Sequence, residues 1–332
     1  MNIDGFKALT TLPVITAPMF LVSGVDLVVA ACRAGVIGSF PALNARDPEL
    51  LADWLATIER RLAEPGPIPP APYAVNIVLR SPIRREQLEK CAAAGVPIVI
   101  TSVGDPSEAV KRVHDWGGLV FHDVTNLDHA RKAAEAGVDG IILVCAGAGG
   151  HSGAQSAFAL TPQVRAMFDG AIIVGGGIGD GRAILATQAL GADFAYVGTR
   201  FIATAESLAS DPYKQLLVEA ATSDIVYTDR ISGLPASFIR QSLLAAGLDP
   251  DQLPPLRAPR TPDLPPGVKA WKDIWSAGHA VGLITSPSTV AGVIAQLTAE
   301  YHQARLTLVP SSPEPCASLR QTSLSPGNLA AG

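Results

Sequence analysis

From residue 13 to about residue 200, short apolar runs rich in β-branched residues alternate with longer amphipathic runs. The short runs predict strands at PVITAPM (13–19), VIGSFPA (36–42), YAVNIVL (73–79), PIVITSVG (97–104), LVFHDVT (119–125), GIILVCAG (140–147), AIIVGGG (171–177) and FAYVGTRF (194–201). Between them, DPELLADWLATIERRL, IRREQLEKCAAAG, PSEAVKRVHDWG, NLDHARKAAEAG and GDGRAILATQALG carry helical periodicity, several opening near Asp, Asn or Ser and closing on Gly. The strands are apolar almost throughout, as in a parallel sheet covered on both faces. Eight such units exceed the usual strand count of a doubly wound sheet, so the expected fold is a (β/α)8 TIM barrel.

After the eighth strand the rhythm breaks. Residues 1–204 account for the barrel strands, and residues 205–270 read as a small helical insertion containing DPYKQLLVEAAT and the Pro-rich LPPLRAPRTPDLPPG. Residues 271–306 hold the closing barrel helix, SPSTVAGVIAQLTAEYHQA, and 307–332, rich in Ser, Pro, Gly and Ala, reads as a disordered tail. Trp271 and Trp275, four apart, could close over the site, but two tryptophans at that spacing on a helix more often anchor it to the core, which is the expectation here.

Composition narrows the function. Charged residues make up 17% of 332, the formal net charge is −5, and no basic stripe is present, which argues against a nucleic-acid partner. The N-terminal stretch has no basic segment followed by an apolar one, and no run reaches membrane-span length, so a cytoplasmic protein is expected. Cys32, Cys91, Cys145 and Cys316 are too scattered for a zinc site or disulfide framework, and no histidine pair has ligand spacing, so no metal is expected. The first three cysteines read as small buried hydrophobes.

In a barrel the active site forms at the C-terminal ends of the strands. Those ends place Met19, Asn76, Thr101, Asp123, residues 147–153, Gly175, Gly176, Gly177, Gly198 and Thr199 around the mouth. GGGIGDGR after the seventh strand and VGTRF at the eighth predict a phosphate site, with glycine amides near a helix N-terminus and the Thr199 hydroxyl beside them. The string fails G-x-G-x-x-G, because Asp180 or Arg182 stands where the last glycine belongs. His151, in GAGGHSG, then sits just past the sixth strand, where glycines let a flat ring and a substrate approach the backbone. An imidazole there could remove a carbon-bound proton or hold a negative oxygen. His114 and His129 read as surface residues, and His122 as either a core or a cofactor-facing group. There is no G-x-S-x-G elbow for a nucleophilic serine.

Taken together, GAGGHSG, GGGIGDGR and YVGTRFIAT, with APM, AVNI and WSAGH, resemble the nitronate monooxygenase family over roughly residues 10–300. The resemblance implies a flavoprotein monooxygenase that carries FMN and oxidises alkyl nitronates with O2 to carbonyl compounds and nitrite. It implies His151 as the base and substrate contact, Gly176, Gly177, Gly198 and Thr199 in the FMN phosphate loops, and Met19, Asn76 and Gly150 along the flavin ring and ribityl chain. Two positions depart from it. Asp123, in HDVT, stands where many members carry a lysine, and Phe20, Leu21 and Val22 make an apolar wall where some carry a glutamine. An FMN-dependent NAD(P)H reductase of quinones or enoyl thioesters is the alternative on the same barrel, and a phosphate-binding barrel without turnover is a third reading. A homodimer is left open.

Overall fold

The computed structural model describes residues 3–308. The strands in chain order are β1 (Val14–Thr16), β2 (Gly38–Pro41), β3 (Tyr73–Val78), β4 (Ile98–Ser102), β5 (Leu119–Val124), β6 (Gly140–Val144), β7 (Gly150–His151), β8 (Ala171–Gly175), β9 (Phe194–Val197), β10 (Ile225–Thr228) and β11 (Ala236–Ile239). Eight of them form one parallel sheet in the order β1-β9-β8-β6-β5-β4-β3-β2. A parallel bridge between Ile15 and Ile37, with Thr16 N donating to Ile37 O at 2.9 Å, brings β2 back to β1 and closes the (β/α)8 barrel.

Strand alternation divides the core. Ile15, Ile100, Phe121, Ile142, Ile173 and Phe194 fill the barrel interior, where Phe6 of the N-terminal helix joins them. Their neighbours Val14, Val99, Val120, Ile141, Ile172 and Ala195 face the surrounding helices. Both faces being buried is why the strands read as continuous apolar runs. Side-chain caps start the helices where the sequence placed them: Asp47 accepts from Leu50 N, Asn126 from His129 N and Asp180 from Ala183 N. Cys32, Cys91 and Cys145 are free and buried. Cys316 lies outside the described residues.

The insertion differs from the expected helical one. It holds helices Asp211–Glu219 and Arg240–Ala245, but also β10 and β11, which run antiparallel to each other. β11 then pairs antiparallel with β7, placing Ala236 opposite His151 and Ser237 opposite Gly150. Trp271 and Trp275 are not on a helix: the segment is a turn in which Trp271 has φ +70°. The closing helix runs Val290–Leu308, two residues into the stretch expected to be tail, and the rest of that stretch lies outside the described residues. Among the described residues no helix is long and apolar enough to cross a membrane.

The closing helix packs directly on helix Gly181–Ala189, and only a glycine fits their crossing. A Cβ at Gly181 would overlap the backbone of Tyr301 and stand 2.5 Å from Leu297 O. Gly181→Ala is therefore expected to cost about 3 kcal/mol or more by overpacking. Urea unfolding reads this as a lower midpoint at unchanged slope, and a midpoint equal to wild type would contradict so close a crossing.

Candidate active site

The C-terminal mouth of the barrel gathers most of the positions that the sequence singled out. Met19 lies in the loop after β1, its main chain held by Asn44: Nδ2 donates to Met19 O at 3.0 Å and to Ser23 O at 2.8 Å, while Oδ1 accepts from Leu21 N. The Met19 Sδ lies 3.5 Å from where Gly198 would carry a Cβ, an ordinary contact distance, so the loops after β1 and β9 adjoin at this point. Asn44 had no sequence signal beyond its place after the second strand.

Asn76 on β3 and Asp123 on β5 lie two residues beyond the interior residues Ala74 and Phe121, so both belong to the inner face. Asn76 Nδ2 donates to Ile100 O and to Ser102 Oγ, each at 3.3 Å. Asp123 Oδ1 is shut off from solvent without a hydrogen-bond partner, and so is the Tyr196 hydroxyl of β9. Burial raises the Asp123 carboxyl from 3.8 to about 7. Burial, and then the neighbouring Asp123, raises Tyr196 well above its ordinary value.

His122 and Thr101 point the other way. Their side chains meet each other, Thr101 Oγ1 to His122 Nδ1 at 2.8 Å, on the face opposite Phe121. Burial lowers His122 to about 4, so it is a neutral core group, and the cofactor-facing reading falls. Thr101, at a strand end by sequence, does not reach the mouth for the same reason.

The glycine loops follow a more particular path than a bare anion cradle. Gly176 and Gly177 take φ +133° and +69°, values that favour glycine. A Cβ on Gly177 would meet nothing within 4 Å, whereas one on Gly176 would lie 2.6 Å from Ala146 O. The helix that follows begins only at Gly181, and carboxylates occupy its N-terminus: Asp180 caps Ala183 N, and Glu300 Oε2 accepts from Gly181 N at 2.9 Å. Capped in this way, that helix end presents carboxylates and not free amides to an anion. Gly177 N donates to Gly147 O at 3.1 Å, and Thr199 Oγ1 accepts from Gly278 N at 2.9 Å. The segment WSAGH thus packs on Thr199 through Gly278 N, and its His279 N donates at 2.9 Å to the same Gly147 O that accepts from Gly177 N. Gly175, at the end of β8, packs on Tyr196.

His151 is held by the insertion. Gly150, with φ +68° and open space where a Cβ would be, donates from its N to Ser276 Oγ at 2.7 Å, and Ser276 Oγ donates to Ser237 O at 2.6 Å. The imidazole contacts Ser232 Oγ through Nε2 at 3.0 Å and meets the Trp271 ring edge-on, centroids 4.9 Å apart at 83°. Trp271 rests in turn on Phe238 at 5.0 Å. His151 as a residue is exposed at the mouth, yet the crowding of its ring lowers its pKa below the ordinary value by desolvation. It is therefore a neutral imidazole near pH 7. Ser232 and Ser276 were assigned no role by the sequence because theirs depend on long-range pairing, whereas Trp271, expected to anchor a helix to the core, instead meets the His151 ring.

A flavin is compatible with these residues on two counts. The left-handed, unobstructed backbone at Gly150 and Gly177 leaves room for a group lying against it. Asp123 and Tyr196 offer buried polar atoms with no protein partner, as expected where a polar ring edge completes the set.

The same burial predicts a pH effect. An unfolded Asp123 ionises near 3.8, while the folded carboxyl stays protonated up to about 7, so wild-type stability falls as pH rises through that interval. Without bound cofactor, Asp123→Asn should be more stable than wild type by about 2–4 kcal/mol at pH 8, with the gain gone below about pH 4. Thermal melts at the two pH values test this, and an equal difference at both would contradict it.

Comparison with known proteins gives this geometry a family. The nitronate monooxygenase family model matches residues 6–300. A nitronate monooxygenase of Paraburkholderia phytofirmans is 29% identical over 89% of this chain and 90% of its own length. A Mycobacterium tuberculosis protein named (3aS,4S,5R,7aS)-5-hydroxy-7a-methyl-1-oxo-octahydro-1H-indene-4-carboxyl-CoA dehydrogenase is 28% identical over 70% of this chain, a match spanning only 64% of that protein. Among solved structures, a variant of FabK from Thermotoga maritima superposes with a TM-score of 0.74 at 26% identity, over 92% of this chain and 97% of the other. The chain belongs to the nitronate monooxygenase family and is a flavin-dependent oxidoreductase.

Proposed function

We propose that this protein binds FMN and oxidises alkyl nitronates with O2 to carbonyl compounds and nitrite, taking nitroalkanes as well once His151 has removed their α-proton. The observation that carries the reading is the placement of His151: a neutral imidazole at the barrel mouth, fixed by Ser232 and Trp271, on a loop whose Gly150 leaves the approach open. A neutral imidazole with a free lone pair is what abstraction of a carbon-bound proton requires. The Paraburkholderia relative bears the name of this activity.

Gly176, Gly177, Gly198 and Thr199 would hold the FMN phosphate, and Met19, Asn76, Asp123, Gly150 and Gly175 would flank the ring and its side chain. When bound, the flavin supplies the electron acceptor and the site of reaction with O2. The protein's own part is to orient the substrate, take its proton on His151 and exclude water. Phe20 and Leu21, 45% and 38% exposed at the rim, offer an apolar surface for the alkyl portion. Asp123 supplies no cation where many family members have a lysine, so this chain stabilises negative charge on the ring less than they do.

A second reading is an NAD(P)H-dependent reductase of quinones or enoyl thioesters. The name of the Mycobacterium tuberculosis relative, a carboxyl-CoA dehydrogenase, favours it, as do the exposed apolar side chains of Phe20 and Leu21.

His151→Ala is expected to keep its flavin but lose about 100-fold or more in kcat/KM on neutral nitroalkanes, with less than about a 10-fold loss on preformed nitronates, which need no deprotonation. Nitrite release measured on both substrates tests this. Equal losses on the two would contradict the role of His151 as a base.

A further inference from the structure

We infer that Ser232, on the insertion, fixes His151 in the tautomer that carries its hydrogen on Nε2, leaving Nδ1 as the basic atom of the site. The geometry around one hydroxyl settles the direction of the bond. Ser232 Oγ lies 3.0 Å from His151 Nε2 and 3.0 Å from Leu234 O. A peptide carbonyl only accepts, and a serine hydroxyl has one hydrogen, so that hydrogen belongs to Leu234 O. Toward the imidazole Ser232 presents lone pairs alone, and Nε2 must be the donor. Nothing among the described residues hydrogen-bonds Nδ1.

The surroundings hold this arrangement in place. The His151 backbone is paired with Ala236, two residues beyond Leu234, so the short loop from Ser232 to Ala236 carries both the side-chain acceptor and the backbone partner of the same histidine. Trp271, edge-on to the ring, resists its reorientation. Protonation at Nδ1 leaves the Nε2 bond intact and makes it charge-assisted, so one acceptor serves both states of the ring. Ser232 is a positioning residue: it acts on substrate only through His151. What Nδ1 accomplishes rests on the proposed base role, whereas the tautomer does not.

The test uses protein labelled with 15N-histidine, as purified, with the His151 signals assigned by their loss in His151→Ala. Wild-type His151 should show a pyrrole-type Nε2 and a pyridine-type Nδ1, and Ser232→Ala should move the two shifts toward each other as the tautomers mix. Ser232→Thr, which keeps the hydroxyl, should restore the wild-type pattern. In kinetics Ser232→Ala should lose about 10-fold in kcat/KM on a neutral nitroalkane while a preformed nitronate is almost unaffected, and Ser232→Thr should recover most of the loss. A wild-type His151 protonated on Nδ1, or an Ser232→Ala spectrum identical to wild type, would overturn the inference. The expected tautomer together with equal kinetic losses on both substrates would uphold the tautomer assignment and overturn the base reading instead.

Discussion

The site depends on a sheet contact only two residues long. Pairing Gly150 and His151 with Ser237 and Ala236 turns a glycine-rich loop, which by itself has no fixed conformation, into the edge of a three-stranded sheet. Everything that defines the histidine follows from it: Ser232 arrives at Nε2, Phe238 supports Trp271 against the ring, and Ser276 bridges Gly150 to Ser237. The insertion therefore forms a second wall around His151, and the barrel alone would leave the histidine unplaced.

Against that clamp, the barrel supplies the opposite side of the mouth. Its lower layers are apolar and close-packed, with Ile100, Phe121, Ile142 and Ile173 pointing inward. Toward the mouth the inner face turns polar at Asn76, Ser102, Asp123 and Tyr196, and there the hydrogen-bond bookkeeping is left incomplete. An unpartnered buried carboxyl and phenol destabilise the protein alone, and such a defect persists where a ligand completes it. Burial, by raising the Asp123 carboxyl to about 7, makes it a hydrogen-bond donor below that pH.

Much of this was legible in the sequence, for a physical reason. Parallel strands buried on both faces read as continuous apolar runs, so all eight were located, although β1 shrank to Val14–Thr16 because APM already belongs to the mouth. Positions at strand ends placed Met19, Asn76, Asp123 and His151 without any contact being known. The strands IVYT and ASFI were missed because four-residue runs carry little period, and ASFI draws its second partner from a two-residue segment far away in sequence. Spacing suggested a helix for Trp271 and Trp275, but a left-handed turn at Trp271 and stacking of Trp275 on Tyr213 at 5.0 Å decided otherwise. Ser232 carried no local signal, since its meaning is set by the lone hydrogen it gives to Leu234 O.

The most direct test of the central claim is a visible spectrum of the purified protein, recorded without oxygen before and after propionate 3-nitronate and, separately, NADH and NADPH. The account predicts a flavin spectrum that changes on adding the nitronate, followed by nitrite release once air is admitted. A flavin that responds only to a nicotinamide, or a protein with no flavin at all, would contradict it.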